Sequence, residues 1–327
     1  MNPTLRTTLR TVTVLSCLPY LALKVAWVAG SRVGIPDGSS LLDHRTTMAV
    51  ANGVTVLLDA AVVLLAFLLT EPWGRRVPAW ALTVPMWVAT GLLTPIMTGY
   101  PVQMVVKLFD GSGATAGASE PFLDDWVFSV VYPGFVVQGL CLGALFAGYA
   151  RRRWGHVWQG RMRDLPARPQ DAAQRLVAVA AVLCALLPAV THLLWACGAD
   201  TGLNPLRAAE RDSTFTVMEV MNALYLAAAV TGAVLLAFRR GRGLSLKVPL
   251  ALLWVGSGAS ACWGGWLSLA SLSGVDDIAR QPTPLMNLTY AGQMIVGLLV
   301  VTIGAHHAAV SRAATPSAAP ARTPVAA

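Results

Sequence analysis

The sequence predicts an all-α membrane protein, a polytopic transmembrane helical bundle of about eight spans arranged as two parallel four-helix repeats. Hydrophobic residues make up 55% of the 327 residues and charged residues only 12%, whereas a soluble domain carries about 25% charged residues. Apolar stretches of about 20 residues recur along the chain, enough to cross a hydrocarbon core of about 30 Å. These stretches do not alternate in polarity, which favours helices over barrel strands.

The apolar runs predict the elements in order. A first repeat occupies residues 1–149, a basic cytoplasmic linker 150–173, a second repeat 174–306 and a disordered cytoplasmic tail 307–327, whose composition cannot bury a core. Prolines interrupt the third span, so a kinked helix is expected there; an acidic outer loop at 100–125 should follow it. The eight spans are predicted at 11–30, 47–69, 79–99, 126–149, 174–197, 215–237, 248–272 and 286–306.

The distribution of charge predicts the orientation. Of the 24 Lys and Arg residues, 16 fall in segments on one side of the predicted spans and 6 on the other. An excess of Lys and Arg in short loops marks the cytoplasmic side, so both termini should be cytoplasmic in a multi-pass protein of the plasma membrane. The net charge of +8 does not indicate nucleic acid, because no extramembrane segment is long enough for a folded basic face.

Three short motifs occur twice in the same order and indicate a duplication. Each copy holds four spans, and an even number returns the second copy to the same orientation. The copies should therefore be parallel repeats about a pseudo-twofold axis along the membrane normal. The matched motifs are Lys24-x-x-Trp27-x-x-Gly30-x-x-x-Gly34 with His192-x-x-Trp195-x-x-Gly198-x-x-x-Gly202, Met48-x-x-x-Asn52 with Met218-x-x-x-Asn222, and Tyr132-x-Gly134 with Tyr290-x-Gly292.

The first of these motifs carries a resemblance. Trp27-x-x-Gly30-x-x-x-Gly34 and its copy resemble a pattern in uncharacterised actinobacterial multi-spanning membrane proteins, in which a Trp-x-x-Gly element ends the first helix of a four-helix unit. The Ala-, Arg- and Val-rich, Lys-poor composition is similar to that of proteins from high-GC bacteria. The resemblance implies a membrane bundle, and it implies no activity and no catalytic residue.

Titratable residues inside the spans are candidate functional residues, because a charge there costs about 2.5–3.5 kcal/mol on insertion scales. Lys24, His192 and Glu219 fall in the outer half of their spans. Asp59 lies near the midplane, about 15–18 Å from either end of its span at 1.5 Å per residue. Gln138 is at a comparable depth.

The outer residues share one depth and are predicted to line a vestibule between the two halves. In such a site Glu219 should pair with His192 or Lys24, because an unpaired buried charge is costly. Alternatively, these residues serve only structure, with Lys24 snorkelling to the interface and the asparagines bonding to neighbouring helices. The predicted ligand-binding residues of the vestibule are Lys24, Asn52, Tyr132, His192, Glu219, Asn222 and Tyr290.

Asp59 and Gln138 complete the predicted ligand-binding set, and two interpretations stay open for them. In one, a protonated Asp59 bonds to Gln138 or to a backbone carbonyl. In the other, Asp59 titrates and couples proton binding to movement. In either case Asp59 should face protein or a cavity, because a carboxyl group facing lipid tails has nothing to bond with.

Two functions follow as hypotheses. The first is a permease-like protein that binds or moves a small solute or lipid between its two halves. The second is a non-catalytic scaffold or sensor subunit. No enzyme activity, cofactor or metal site is predicted, since no metal-binding histidine spacing, Walker sequence, Gly-x-Ser-x-Gly or His-Glu-x-x-His occurs. A polar cavity reaching Asp59 would favour the first hypothesis and a dry bundle the second.

Overall fold

The fold is helical throughout the part of the chain that the computed structural model describes, residues 1–37, 45–110, 123–165, 171–209, 211–272 and 281–313. An isolated bridge between Arg161 and Ser245 is the sole β pairing in these ranges, so the predicted all-α class is confirmed. Short 3-10 turns occupy Pro72–Arg76, Gly155–Val157 and Met162–Asp164. The helices are α1 (Pro3–Val28), α2 (Arg45–Thr70), α3 (Ala79–Asp110), α4 (Asp125–Trp154), α5 (Asp171–Ala196), α6 (Pro205–Ala209), α7 (Ser213–Phe238), α8 (Lys247–Ser271) and α9 (Pro284–Ala313).

Seven of the helices in the described ranges are long and apolar enough to cross a membrane, and α8 is not among them. The 25 residues of α8 are rich in glycine and serine, which lowers the hydropathy of this helix. Small residues also allow neighbouring membrane helices to approach closely. By hydropathy α8 therefore differs from the other long helices, whereas its packing resembles theirs.

The packing of α8 shows that it spans the same length of the bundle as its neighbours. The backbone of Gly264 lies against the carbonyl group of Tyr290 of α9, and the side chain of Leu253 lies against Gly304 of the same helix. As the residue number falls along α8, the number of the contacted residue rises along α9, so the two helices are antiparallel. α8 also packs extensively on α7. Because α8 runs antiparallel to α9 and packs along α7, the packing favours the eight predicted spans.

Several helix ends differ from the predicted boundaries. α3 continues to Asp110, so residues 100–110 of the predicted outer loop are helical. α4 ends at Trp154 rather than 149, and α9 at Ala313 rather than 306. Apolar content marks only the hydrocarbon crossing, whereas helical hydrogen bonds continue into the polar region, where Arg side chains reach water. The basic linker is accordingly shorter than predicted, and residues 314–327 of the predicted tail lie outside the described residues.

The two halves, α1–α4 and α5 with α7–α9, share the same turn after their first helix. The Nε1 atom of Trp27 donates to the carbonyl oxygen of Val33 at 2.7 Å, and that of Trp195 donates to Thr201 at 3.0 Å. The last glycine of each motif has a φ of +73°, a conformation that favours glycine. In each half the first helix also packs on the second and fourth helices of that half. These matched features favour the predicted duplication.

The third long helices of the two halves, α3 and α8, exchange equivalent hydrogen bonds. Trp87 Nε1 donates to Ser257 Oγ at 3.0 Å, and Trp254 Nε1 donates to Thr90 Oγ1 at 3.3 Å. The equivalent residues are each 167 positions apart, since 254 − 87 = 167 and 257 − 90 = 167. In a contact about a twofold axis, residue i touches j and the copy of j touches the copy of i. The α3–α8 contact has this form.

Gly91 and Gly258 lie at the centre of this crossing, where a Cβ on Gly91 would collide with the carbonyl oxygen of Gly258. We predict that Gly91→Ala lowers the stability of the protein by about 1–3 kcal/mol through overpacking, measured by thermal unfolding in detergent. The matched control is Gly143→Ala, because a Cβ on Gly143 meets no atom within 4 Å. That control should be neutral or stabilising by up to about 1 kcal/mol. Equal effects of the two substitutions would contradict close helix contact at Gly91.

The eight-span topology is testable with reporter fusions on either side of α8. We predict that fusions at residues 160 and 243 and at the C-terminus report the cytoplasm, and that fusions at residues 115 and 276 report the outside, following the Lys and Arg excess. If residues 243 and 276 reported the same side, α8 would not cross the membrane.

Candidate functional site

A cavity of about 300 Å³ lies among the four helices of the first half. Its walls are mostly apolar side chains of α2 and α3, and its polar lining comes from Tyr20, Thr55, Asp59 and Gln138. Only 4% of Asp59 and 1% of Gln138 is exposed. The prediction that Asp59 faces protein or a cavity is therefore confirmed. The volume is at the lower end of the range of small-molecule pockets, which is about 300–1,000 Å³.

The second half is closed at the equivalent place. There α7 and α8 touch at backbone distance, with Gly256 against the main chain of Ala229. Asn52 and Asn222 are 170 positions apart, and by this spacing Ala229 corresponds to Asp59 (59 + 170 = 229). Trp87 and Trp254 are 167 positions apart, and by this spacing Gly256 corresponds to Ala89 (89 + 167 = 256). Asp59 and Ala89 both line the cavity. Larger residues thus hold α2 and α3 apart where their counterparts let α7 and α8 meet.

The polar end of the cavity has two hydrogen-bond acceptors that are not used. The side chain of Gln138 hydrogen-bonds to the Asp59 carboxyl group. A glutamine amide donates only through its nitrogen, so one Asp59 oxygen accepts that bond. Asp59 Oδ2 and Gln138 Oε1 are buried and have no hydrogen-bond partner among the described residues. Because buried polar atoms in proteins are nearly always hydrogen-bonded, this pair marks a place suited to a bound donor.

A line of polar residues leads from the predicted outer half of the membrane to Asp59. Lys24 Nζ donates to Asn52 Oδ1 at 2.8 Å and lies 4.8 Å from the centre of the Tyr20 ring. Asn52, Thr55 and Asp59 follow one another by three and four residues along α2, and therefore share one face of it. Asn52 and Asp59 are about 10.5 Å apart along the axis. Lys24 is thus bonded to Asn52 rather than to Asp59.

The two predicted tyrosines lie in separate aromatic clusters. The ring of Tyr132 is 5.1 Å from that of Tyr100, which joins α4 to α3. Tyr290 is buried in an apolar cluster with Trp195 and Phe215, where the outer ends of α5, α7 and α9 meet. Both tyrosines therefore contribute packing within their own half.

A closed hydrogen-bonded network occupies the second half. His192 Nδ1 lies 2.5 Å from Glu219 Oε2, which is the pairing that the sequence predicts. His192 Nε2 lies 3.3 Å from Gln293 Oε1, and Gln293 Nε2 donates to Asn222 Oδ1 at 3.1 Å. Since Gln293 uses its nitrogen for Asn222, its oxygen accepts from His192 Nε2. His192 Nδ1 and the Glu219 carboxyl group share the remaining hydrogen bond, so the network joins all four side chains.

The predicted residues are joined within each half, whereas the sequence predicted one vestibule between the halves. Lys24, Asn52, Asp59 and Gln138 belong to the first half, and the His192 network belongs to the second. The reason is that the first, second and fourth helices of each half pack on one another, and the contact between halves is formed mainly by α3, α7 and α8. Gln293 is absent from the predicted set, and its counterpart by the tyrosine spacing is Phe135 (293 − 158 = 135). An amide inside a span was the available signal.

No protein-family model, curated protein or solved structure matches this chain. Its long apolar helices make it a multi-pass integral membrane protein in contact with the lipid bilayer. In the described ranges, no three His, Cys, Asp or Glu side chains are grouped so that they could hold a metal ion. Any more specific function has to be inferred from the cavity and the two polar networks.

We predict that Glu219→Gln strongly lowers thermal stability, by about 3–5 kcal/mol, because it breaks the buried pair that Glu219 forms with His192. The matched control is Glu71→Gln, whose ion pair with Arg10 is partly exposed and is worth about 0–1 kcal/mol. Unfolding in detergent measures both, and His192→Gln combined with Glu219→Gln should recover part of the loss. A Glu219→Gln effect no larger than that of the control would contradict a role for the buried pair in stability.

Proposed function

We propose that this chain is a permease-like membrane protein that binds a small solute or a lipid-like molecule in the cavity of its first half, without catalysing a reaction. The observation that carries the proposal is the presence of two unused acceptors, Asp59 Oδ2 and Gln138 Oε1, in a mainly apolar cavity within the described bundle. Each unsatisfied buried polar group costs about 1–3 kcal/mol. A ligand that donates hydrogen bonds would remove that cost.

The packing of the helices supports movement at this cavity. α1 packs on both α2 and α4, whereas α3 packs on α4 and also on α8 and α7 of the second half. α2 and α3 face each other across the cavity and share few contacts. The cavity therefore lies at the weakly packed boundary between α2 and α3. Transporters change access by rocking one helix group against another around a binding site.

Contacts at the basic end of the first half favour an opening at the opposite, outer end. Arg10 of α1 pairs with Glu71, directly after α2. Arg153 of α4 donates through Nη2 to the carbonyl oxygen of Val77, directly before α3, at 2.8 Å. Both arginines thus fasten the turn between α2 and α3. A separation of α2 from α3 would then begin at their outer ends, where the polar line through Asn52 leads to Asp59.

One observation favours the second candidate function, a non-catalytic scaffold or sensor subunit. In the His192 network the two titratable side chains and the two amides bond to one another, as they would in a half with a purely structural role. Under this alternative the first half would also be dry, and Asp59 would serve only to bond Gln138.

Cysteine accessibility separates the two candidates. In a variant whose five native cysteines are replaced by alanine, Thr55→Cys places a thiol at the cavity, and Leu57→Cys places one on the lipid-facing side of the same helix, where Leu57 is 70% exposed. We predict that a charged, water-soluble methanethiosulfonate added outside labels Thr55→Cys, because the polar line admits water, and leaves Leu57→Cys unlabelled in the hydrocarbon. Failure to label Thr55→Cys would favour the scaffold.

A further inference from the structure

We propose that the ligand of this cavity is an organic ammonium ion, a protonated amine on a small apolar body. The inference rests on the proposed function, namely that the cavity binds a small molecule, and it adds the chemical class of that molecule. Asp59 and Gln138 would receive the ammonium group, and the apolar walls from α2 and α3 would receive the body.

Hydrogen-bond complementarity gives the first reason. The two unused atoms at the polar end, Asp59 Oδ2 and Gln138 Oε1, are both acceptors. A carboxylate, phosphate or ketone would bring further acceptors against them, whereas an ammonium group has three donors and no acceptor. Hydrogen bonds in which both partners are charged are roughly twice as strong as neutral ones. An ammonium ion therefore satisfies both atoms and also supplies the counter-charge of a buried carboxylate.

Comparison of the halves gives the second reason. Each half has one basic residue near the C-terminal end of its first helix, Lys24 or His192, and one carboxyl group within its second helix, Asp59 or Glu219. In the second half the two meet, with Glu219 bonded to His192. In the first half Lys24 donates to Asn52 instead, about two helical turns from Asp59, and acts on that carboxylate only through its field. The place beside the Asp59 carboxylate that a cation would occupy is therefore in the cavity.

The walls of the cavity define the rest of the ligand. Tyr20 and Phe135 line it and meet edge to face, with 4.8 Å between ring centres; aromatic faces also attract cations. At about 30 Å³ per water-sized group, a cavity of about 300 Å³ holds about ten such groups. A phenylalkylamine or a short alkylamine has this size and this division into a charged end and an apolar body.

The test uses three probes of one shape that differ in their polar group: 2-phenylethylammonium, 2-phenylethanol and 3-phenylpropanoate. Binding to the full-length protein in detergent is measured by calorimetry and by thermal shift. The ammonium ion should bind most tightly and the carboxylate least. Asp59→Asn should weaken ammonium binding by about tenfold or more, the effect of losing a hydrogen bond to a charged group. Alcohol binding should change little.

Two further variants keep the test decisive if Asp59→Asn folds poorly. Gln138→Leu removes the second acceptor and should weaken ammonium binding by several-fold. Asp125→Asn removes an exposed carboxylate at the start of α4 and should leave the binding of all three probes unchanged. Loss of ammonium binding in Asp125→Asn equal to that in Gln138→Leu would indicate general charge attraction and overturn the proposal.

The failure of this inference is distinguishable from the failure of the proposed function. If Thr55→Cys is labelled from water but the alcohol or the carboxylate binds as tightly as the ammonium ion, the cavity remains a binding site and the ammonium proposal is wrong. If Thr55→Cys is not labelled and none of the three probes binds, both proposals fall.

Discussion

Two glycines, Gly91 of α3 and Gly258 of α8, let the third helices of the two halves approach to backbone distance. Tryptophan indoles on either side donate across this crossing in both directions, so the contact is closed by hydrogen bonds as well as by packing. The consequences extend beyond the contact itself. Because α3 packs on the second half, it packs little on α2 of its own half. The cavity at Asp59 lies in the space between α2 and α3.

The two halves meet the demand for polar pairing in different ways. In hydrocarbon every buried polar group needs a partner within the protein. In the second half the buried carboxyl group meets this demand internally, because Glu219 bonds to His192 and the amides of Gln293 and Asn222 extend the network. In the first half the Asp59 carboxyl group retains a free oxygen in the described bundle. Two units with matched turns and matched helix packing thus differ in how their buried carboxyl group is paired, and we infer that this difference separates a supporting half from a binding half.

The position of α8 illustrates how packing and composition give different information about a membrane helix. Glycine and serine lower the hydropathy of α8, which is not among the seven described helices apolar enough to cross a membrane by length and composition. The same residues let α7, α9 and α3 approach it closely, so most of its length is shielded from lipid by protein. A helix in this position has little need for apolar side chains, because its neighbours rather than the bilayer are its surroundings.

The sequence by itself determined the class of the fold, the approximate helix positions and the depth of the charged residues, because the bilayer imposes length and apolar content along the chain axis. It also indicated that Glu219 would pair with His192 or Lys24, since an unpaired buried charge is costly. Only the tertiary structure decided that Lys24 bonds to Asn52, that Gln293 completes the second network, and that the cavity lies within the first half. Depth follows from position in the sequence, but the direction of a side chain around its helix and the distance between helices follow from which residues pack at the crossings. At Gly91 and Gly258 the backbones of α3 and α8 come into contact, whereas at Asp59 and Ala89 a cavity separates α2 from α3.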